Sequence, residues 1–332
     1  MGCKKANAGI DFMQYLETDL SLYIMSFLHD PSDLVRACSV SHSWHQFVIE
    51  NGVAKELCLK TLSGCSNILG TVKGDKSDNR LQTDHEVYAT LLHAFQNSEV
   101  YTATAIEKEI SASSTNSPNQ RIAQTLIVPD YPLTILKDSH WSSKGQSHAD
   151  VPETLTYKLR SGVWVMTEIF IQSFQANLAI YSAKSVRFRI EIEWTYTSPE
   201  FPMKQDKMPQ GFKLPQPVLC LDGYLKIELL GRVQRHQKDA LFYICLSYVR
   251  ARGHKLFPAF DVMIDERYGK PLLMYNPKKL RCVFKRYPGD ELYIYIYIYI
   301  YIISEVKTYK RRLDCKNLLN RKRNKLKLSK IR

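Results

Sequence analysis

Between residues 11 and 60 apolar side chains recur at helical spacing. Leu16, Leu20, Ile24 and Leu28 fall every four positions and define one apolar face. Asp30-Pro31-Ser32-Asp33 then forms a helix start, with Asp30 as N-cap, Pro31 at the first helical position and Asp33 near the positive helix end. That second helix carries Leu34, Val35, Ala37 and Cys38. Serine-rich residues 39–43 open a third helix, which holds Trp44, Phe47 and Val48 and stops at Asn51-Gly52. Three short helices are therefore expected over 11–60, with Leu57, Leu59 and Leu62 extending an apolar stripe beyond them. Residues 61–83, rich in Gly, Ser, Asn, Asp and Lys, read as a linker. Val87, Leu91, Leu92 and Phe95 predict a further helix over 84–96.

After Glu99 the period shifts to two. Segments 153–159, 163–170, 180–194, 218–230, 240–249 and 260–264 are rich in β-branched and aromatic residues. The alternation is plainest in Arg187-Phe188-Arg189-Ile190-Glu191-Ile192-Glu193-Trp194. Turns rich in Pro and Gly, at 198–202 and 208–211, separate such runs. Many strands without intervening helices predict an antiparallel β-sandwich of jelly-roll type over 84–270, preceded there by one helix. The fold class expected for the chain is thus α+β and multi-domain.

Leu16-x3-Leu20-x3-Ile24-x3-Leu28, followed by Asp33-Leu34-x5-Val40-x3-Trp44-x2-Phe47, resembles the F-box family over about 45 of 332 residues. The family usually has Leu-Pro at the first turn, and here Leu16 is followed by Glu17, which is also acceptable near a helix N-terminus. The resemblance implies a Skp-family adaptor as partner and, through it, a cullin–RING ubiquitin ligase. It also implies that Leu16, Leu20, Ile24, Leu28, Pro31, Leu34, Val40 and Trp44 form the adaptor-binding face. A module this small does not bury all its apolar side chains unaided, so part of that surface needs an outside partner.

Ile110-Ser111-Ala112-Ser113-Ser114-Thr115, His140-Trp141-Ser142-Ser143-Lys144-Gly145 and Glu153-Thr154-Leu155-Thr156-Tyr157-Lys158-Leu159 are similar to landmarks of the galactose-binding-like, discoidin-type jelly roll. That resemblance implies a binding domain for an unidentified target. Trp141, in a polar turn with Ser142 and Ser143, is the candidate ligand contact, because sugars stack on flat apolar faces beside hydrogen-bond donors. Trp164 and Trp194 sit inside strand patterns and are expected to fill the core.

Of the formal charge of +13, residues 304–332 carry +10, from 12 Lys/Arg against 2 Asp/Glu, leaving +3 for the rest. The near-neutral body removes the general argument for a nucleic-acid partner. Only Arg321-Lys322-Arg323-Asn324-Lys325 keeps that alternative open. Residues 293–302 repeat Tyr-Ile five times, and an alternating T/A run translates as Tyr-Ile in every frame without a stop. Residues 271–332 therefore read as a low-complexity tail, disordered or translated from non-coding repeat, and residues 1–10 as a disordered start. Gly2-Cys3 fails as an acylation signal because Ala6 stands where Ser or Thr is needed.

The eight cysteines show no C-x-x-C pair and no zinc-ligand spacing. With no secretory leader pattern and no apolar run of roughly 20 residues, the expectation is cytosol or nucleus, with no membrane partner. Neither a phosphate loop, a nucleophile elbow nor H-E-x-x-H occurs. His42 and His45 read as exposed helix residues, His140, His148 and Asp150 as polar loop residues, and His236 and His254 as isolated. The function expected is a non-catalytic, cofactor-free substrate adaptor of a ubiquitin ligase. An intracellular lectin-like binding module is the second reading.

Overall fold

The computed structural model describes residues 11–28, 31–69, 80–96, 104–128, 139–176, 178–192, 194–256, 258–267, 269–276 and 278–279. The expectations for residues 1–10, the Asp30 cap, the Tyr-Ile repeat and the basic tail lie outside the described residues. The chain divides into two units: 11–61 with 80–92 in one, 62–69 with 93–276 in the other.

In the first unit a 3-10 turn, Phe12–Gln14, leads into α1 (Thr18–Met25), α2 (Pro31–Val40), α3 (His42–Glu50) and α4 (Val53–Thr61). A helix α4 thus follows the three expected, and it buries Val53, Ala54, Leu57 and Cys58. Ser41 caps α3 by accepting from the Trp44 N–H at 3.2 Å. Met13, Met25, Leu34, Ala37, Cys38, Val48, Val53 and Ala54 form one core, edged by Leu16, Leu28 and Trp44. The Trp44 indole donates to Asp11 Oδ1 at 2.8 Å, and the Ser43 hydroxyl donates to Asp11 Oδ2 at 2.7 Å, so one carboxylate ties the incoming chain to α3.

The expected linker is structured where it is described. A 3-10 turn, Ser63–Cys65, and α5 (Ser66–Leu69) belong to the second unit, where Ile68 and Leu69 are buried and α5 packs on two of its strands, β10 (Gln210–Leu221) and β14 (Lys270–Tyr275). Ser, Asn and Gly mark turns, but Cys65, Ile68 and Leu69 are apolar enough to be drawn into a core. The long helix α6 (Arg80–Gln96) begins four residues before its expected start.

The remaining strands of the second unit are β1 (Ile106–Ala112), β2 (Trp141–Ser142), β3 (Glu153–Leu159), β4 (Val163–Ser173), β5 (Gln175–Ala176), β6 (Ala179–Ile180), β7 (Ala183–Glu191), β8 (Thr195–Thr197), β9 (Phe201–Pro202), β11 (Tyr224–Arg232), β12 (Cys245–Lys255) and β13 (Phe260–Asp265). One sheet runs β1-β3-β11-β7-β8, with β9 also on β7, and the other β10-β4-β12-β2. Every pairing is antiparallel. Leu155, Tyr157 and Leu159 of β3, Leu225, Ile227 and Leu229 of β11 and Val186, Phe188 and Ile190 of β7 share one core with Trp164, Met166, Ile169 and Ile171 of β4. Period-two alternation in the sequence is thus the inward face of each sheet.

Three expectations are corrected. The run 218–230 is two strands in different sheets, joined at Asp222 (φ 52°) and Gly223 (φ 92°). A Cβ on Gly223 would stand 2.4 Å from the Glu191 carbonyl, so only glycine turns this corner. The strand expected at 240–249 begins at Cys245, and 240–244 is loop. The hairpin β13–β14 carries the ordered unit to Asn276, beyond the tail boundary set at 270. β10 escaped notice before Val218 because Pro215 and Pro217 interrupt it. They are tolerated at a sheet edge, where the pairing with β4 slips between Lys213 and Val218.

Glu153 occupies the inward row of β3, where an apolar residue is expected. Its partner is Arg232, turned inward because Gly231, at φ 69°, breaks the alternation of β11. The pair is 2% and 0% exposed and forms a direct ion pair. Arg232 Nη1 also donates to Ser143 Oγ at 2.8 Å and to the Lys144 and Phe242 carbonyls at 3.1 Å, while Nε donates to Val151 O at 3.0 Å. Glu153 accepts from the hydroxyls of Ser113 and, at 2.7 Å, Ser114.

Replacing Arg232 with Met strands that carboxylate in the core. The sandwich loses about 3–5 kcal/mol in urea unfolding, and a loss below 1 kcal/mol contradicts this account. In the helical unit, burial beside His45 pushes His85 down from 6.5 to about 3, so it stays neutral when folded. The unfolded chain takes up that proton below 6.5, so stability declines as pH falls from 6.5 towards 3. Helical melting by circular dichroism therefore drops between pH 7 and pH 5, and His85→Phe flattens the dependence.

Candidate functional site

Two surfaces stand out, one in each unit. On α1 the inward side is Ser21 and Met25, with Leu22 partly buried. The outward side carries Leu20, Tyr23, Ile24 and, just past the helix, Phe27, spaced i, i+3, i+4, i+7 as a single stripe. These are 53%, 63%, 40% and 60% exposed, and the Tyr23 and Phe27 rings meet edge-on at 4.9 Å. Phe12, Tyr15 and Val40 are also open to solvent. Large apolar groups in such density on one small unit make this a candidate docking surface.

The face expected from sequence is therefore divided. Leu20, Ile24 and Val40 are exposed; Leu34 is 1% exposed and belongs to the core. Leu16 and Leu28 pack against that core. Trp44 is half-buried, edge-on to Phe12 at 5.4 Å, and Pro31 opens α2. Period four alone mixes the two sides of α1, which ends at Met25, before Leu28. Tyr23 and Phe27, missed by that period, are found by counting i+3 and i+7 from Leu20. His45, expected on the surface, is 6% exposed.

Trp141, Ser142 and Ser143 are not solvent-facing. Trp141 is fully buried and donates its indole N–H to the Ser114 carbonyl at 3.1 Å. Ser143, also fully buried, accepts from Arg232 and from the Ile244 N–H at 3.0 Å. Lys144 N–H donates to Ser114 Oγ at 3.0 Å. A ring without exposed area has no face for a sugar to stack on, so Trp141 and Ser143 hold the sheet together instead. Trp164 fills the core as expected, whereas Trp194 is half-buried.

Beside this scaffold lies a cavity of about 690 Å³, lined from four stretches of chain: Asn116 and Gln120; His140 and Ser142; Phe174 to Ala176 with Tyr181; and His236, Asp239, Tyr243 and Cys245. His140 stacks flat on Phe174, with centroids 3.7 Å apart, and its Nε2 lies 2.9 Å from the Gln120 amide nitrogen. Asp239 is held below the usual carboxylate range, first by the Tyr243 hydroxyl donating at 2.6 Å and then by the Leu241 N–H at 3.1 Å. The same bond, then burial, pushes Tyr243 up to about 12. Burial lifts the Cys245 thiol to about 11, which keeps it protonated and unreactive at neutral pH. The arrangement suits binding rather than covalent chemistry. Of its residues only Ser142 is singled out by the sequence as a ligand contact; the rest are scattered over loops and strand ends with no common spacing.

Among the described residues no cluster of three metal-ligating side chains occurs, and no helix is long and apolar enough to cross a membrane. Solved structures similar to the chain include a family 32 CBM of Clostridium perfringens NanJ in complex with galactose. It is 11% identical over 42% of this chain and 90% of that one, at a TM-score of 0.32. A Streptococcus pneumoniae fucose binding module is 16% identical over 46% and 99%, also at 0.32. The F-box-like family profile matches residues 18–60. An F-box protein of Arabidopsis thaliana is 38% identical over 322 residues, covering 82% of this chain and 84% of its own length. At that identity over that span, the chain belongs to the F-box proteins.

Proposed function

We propose that this F-box protein is the substrate-recruiting subunit of a Skp–cullin–F-box ubiquitin ligase. In this reading the helical unit docks a Skp-type adaptor and the β-sandwich holds the protein to be modified, in cytosol or nucleus. The observation that carries it is the solvent-facing stripe of Leu20, Tyr23, Ile24 and Phe27. Aromatic and branched anchors of this kind dominate protein–protein affinity when a partner's pocket excludes water from them. The contribution to ubiquitin transfer is proximity: a tethered target meets the charged conjugating enzyme at high effective concentration. No residue of this chain takes part in bond making in that scheme.

Capture of a purified Skp-type adaptor by the full chain tests the docking half. Leu20→Asp combined with Ile24→Asp places two carboxylates in the stripe without entering the core, so the fold is retained and affinity falls about a hundredfold or more. Equal capture by wild type and the folded double variant, or none by wild type, defeats the reading. Leu34→Ala should instead lower the melting temperature of the helical unit, because Leu34 lies inside it.

A further inference from the structure

We propose that the sandwich cavity seats a cationic side chain, the guanidinium of an arginine or the ammonium of a lysine, from the recruited protein. The inference rests on the sandwich being the target-binding unit and gives that site a ligand chemistry. Asp239 is the one Asp, Glu, Lys or Arg among the lining residues, so the formal charge of the lining is negative. Tyr243 and Leu241 each donate to one of its oxygens, which fixes the carboxylate's direction. His236 Nδ1 also lies 3.5 Å from Oδ1. A carboxylate has about four acceptor positions, so Oδ2, which holds only the Tyr243 hydroxyl among these contacts, keeps room for an incoming N–H.

The walls around that charge are aromatic. Phe174, Tyr181 and Tyr243 line the same cavity, and a cation over such ring faces gains further attraction, which increases as water is excluded. A neutral polyol can donate hydroxyl hydrogens to that carboxylate, but only a cation adds charge pairing with it and attraction to the rings. The volume of about 690 Å³ exceeds what one side chain fills, so residues flanking the cation enter as well. Leu178, in the turn between β5 and β6, is 92% exposed, two residues beyond the lining residue Ala176, and offers them an apolar contact. It holds φ 71°, and Ala240, next to Asp239 in another loop, holds φ 57°. Non-glycine residues carry such strain where surrounding structure fixes a loop, as binding rims require.

The test uses the full chain and fluorescein-labelled pentapeptides identical except at the centre, which is Arg, Lys, citrulline or Glu. Fluorescence anisotropy should show saturable binding of the Arg or the Lys peptide, and the tighter of the two identifies the head group. Citrulline, which keeps arginine's shape without its charge, should bind at least tenfold more weakly. Asp239→Asn, at a partly exposed position, should weaken the cationic peptide about tenfold or more, and Phe174→Leu about threefold. Equal binding of citrulline, unchanged affinity in Asp239→Asn, or no saturable binding of any peptide overturns the proposal. Galactose binding unaffected by Asp239→Asn overturns it as well. Adaptor capture by the same preparations separates the two readings. Peptide binding without capture keeps the cavity and removes the ligase role, and capture without peptide binding does the reverse.

Discussion

A charged pair with almost no access to water sits where four stretches of the sandwich meet, and their arrangement depends on it. Arg232 spends its guanidinium on Glu153, Ser143 and three carbonyls, so that β3, the loop after β2, residues 149–151 and the loop before β12 share one hub. Low dielectric makes each of those bonds strong and makes any missing partner costly. Such a hub adds little net stability over an apolar core of the same shape. What it supplies is a single permitted arrangement of loops. The cavity wall that carries Asp239 and Tyr243 lies between Arg232 and Cys245, so the buried pair anchors one end of that loop.

The helical unit works on the opposite principle. Its core is small, and Asp11, Ser41, Ser43 and Trp44 close its entry with side-chain bonds rather than bulk. α1 is apolar on both sides: Met25 and Leu22 inward, Leu20, Tyr23, Ile24 and Phe27 outward. Hydrophobicity there serves one interface within the chain and, under the proposed function, a second with the adaptor.

How much of this was legible follows from the period of each element. β3, with perfect alternation, was placed to the residue, and α3 was bounded by the serine-rich residues 39–43 and by Asn51-Gly52. The β10–β11 corner was not, because apolar residues continue on both sides of Asp222-Gly223 and the sheet change leaves no mark in hydropathy. The exposed stripe of α1 was half-legible: spacing finds apolar residues but does not say which side of the helix is covered by its own unit. Trp141 was misread because a polar neighbourhood in sequence, Ser142-Ser143-Lys144, is a buried hydrogen-bond network in space. The cavity as a whole had no sequence signal beyond Ser142, since its residues are joined only by the fold.

The prolines of β10 bear on how a target approaches. An open sheet edge invites a foreign strand to pair with it, for assembly or for aggregation. Here Pro215 and Pro217 remove two backbone donors from one edge of the four-stranded sheet, and the opposite edge, β2, is two residues long. In the other sheet β8 has three residues and β1 is interrupted by two register shifts. None of these four edge strands offers a guest chain an uninterrupted ladder to extend. Under the proposed function, selectivity passes to side chains at the loop end, where a few substitutions redirect the choice of cargo while the strands stay as they are.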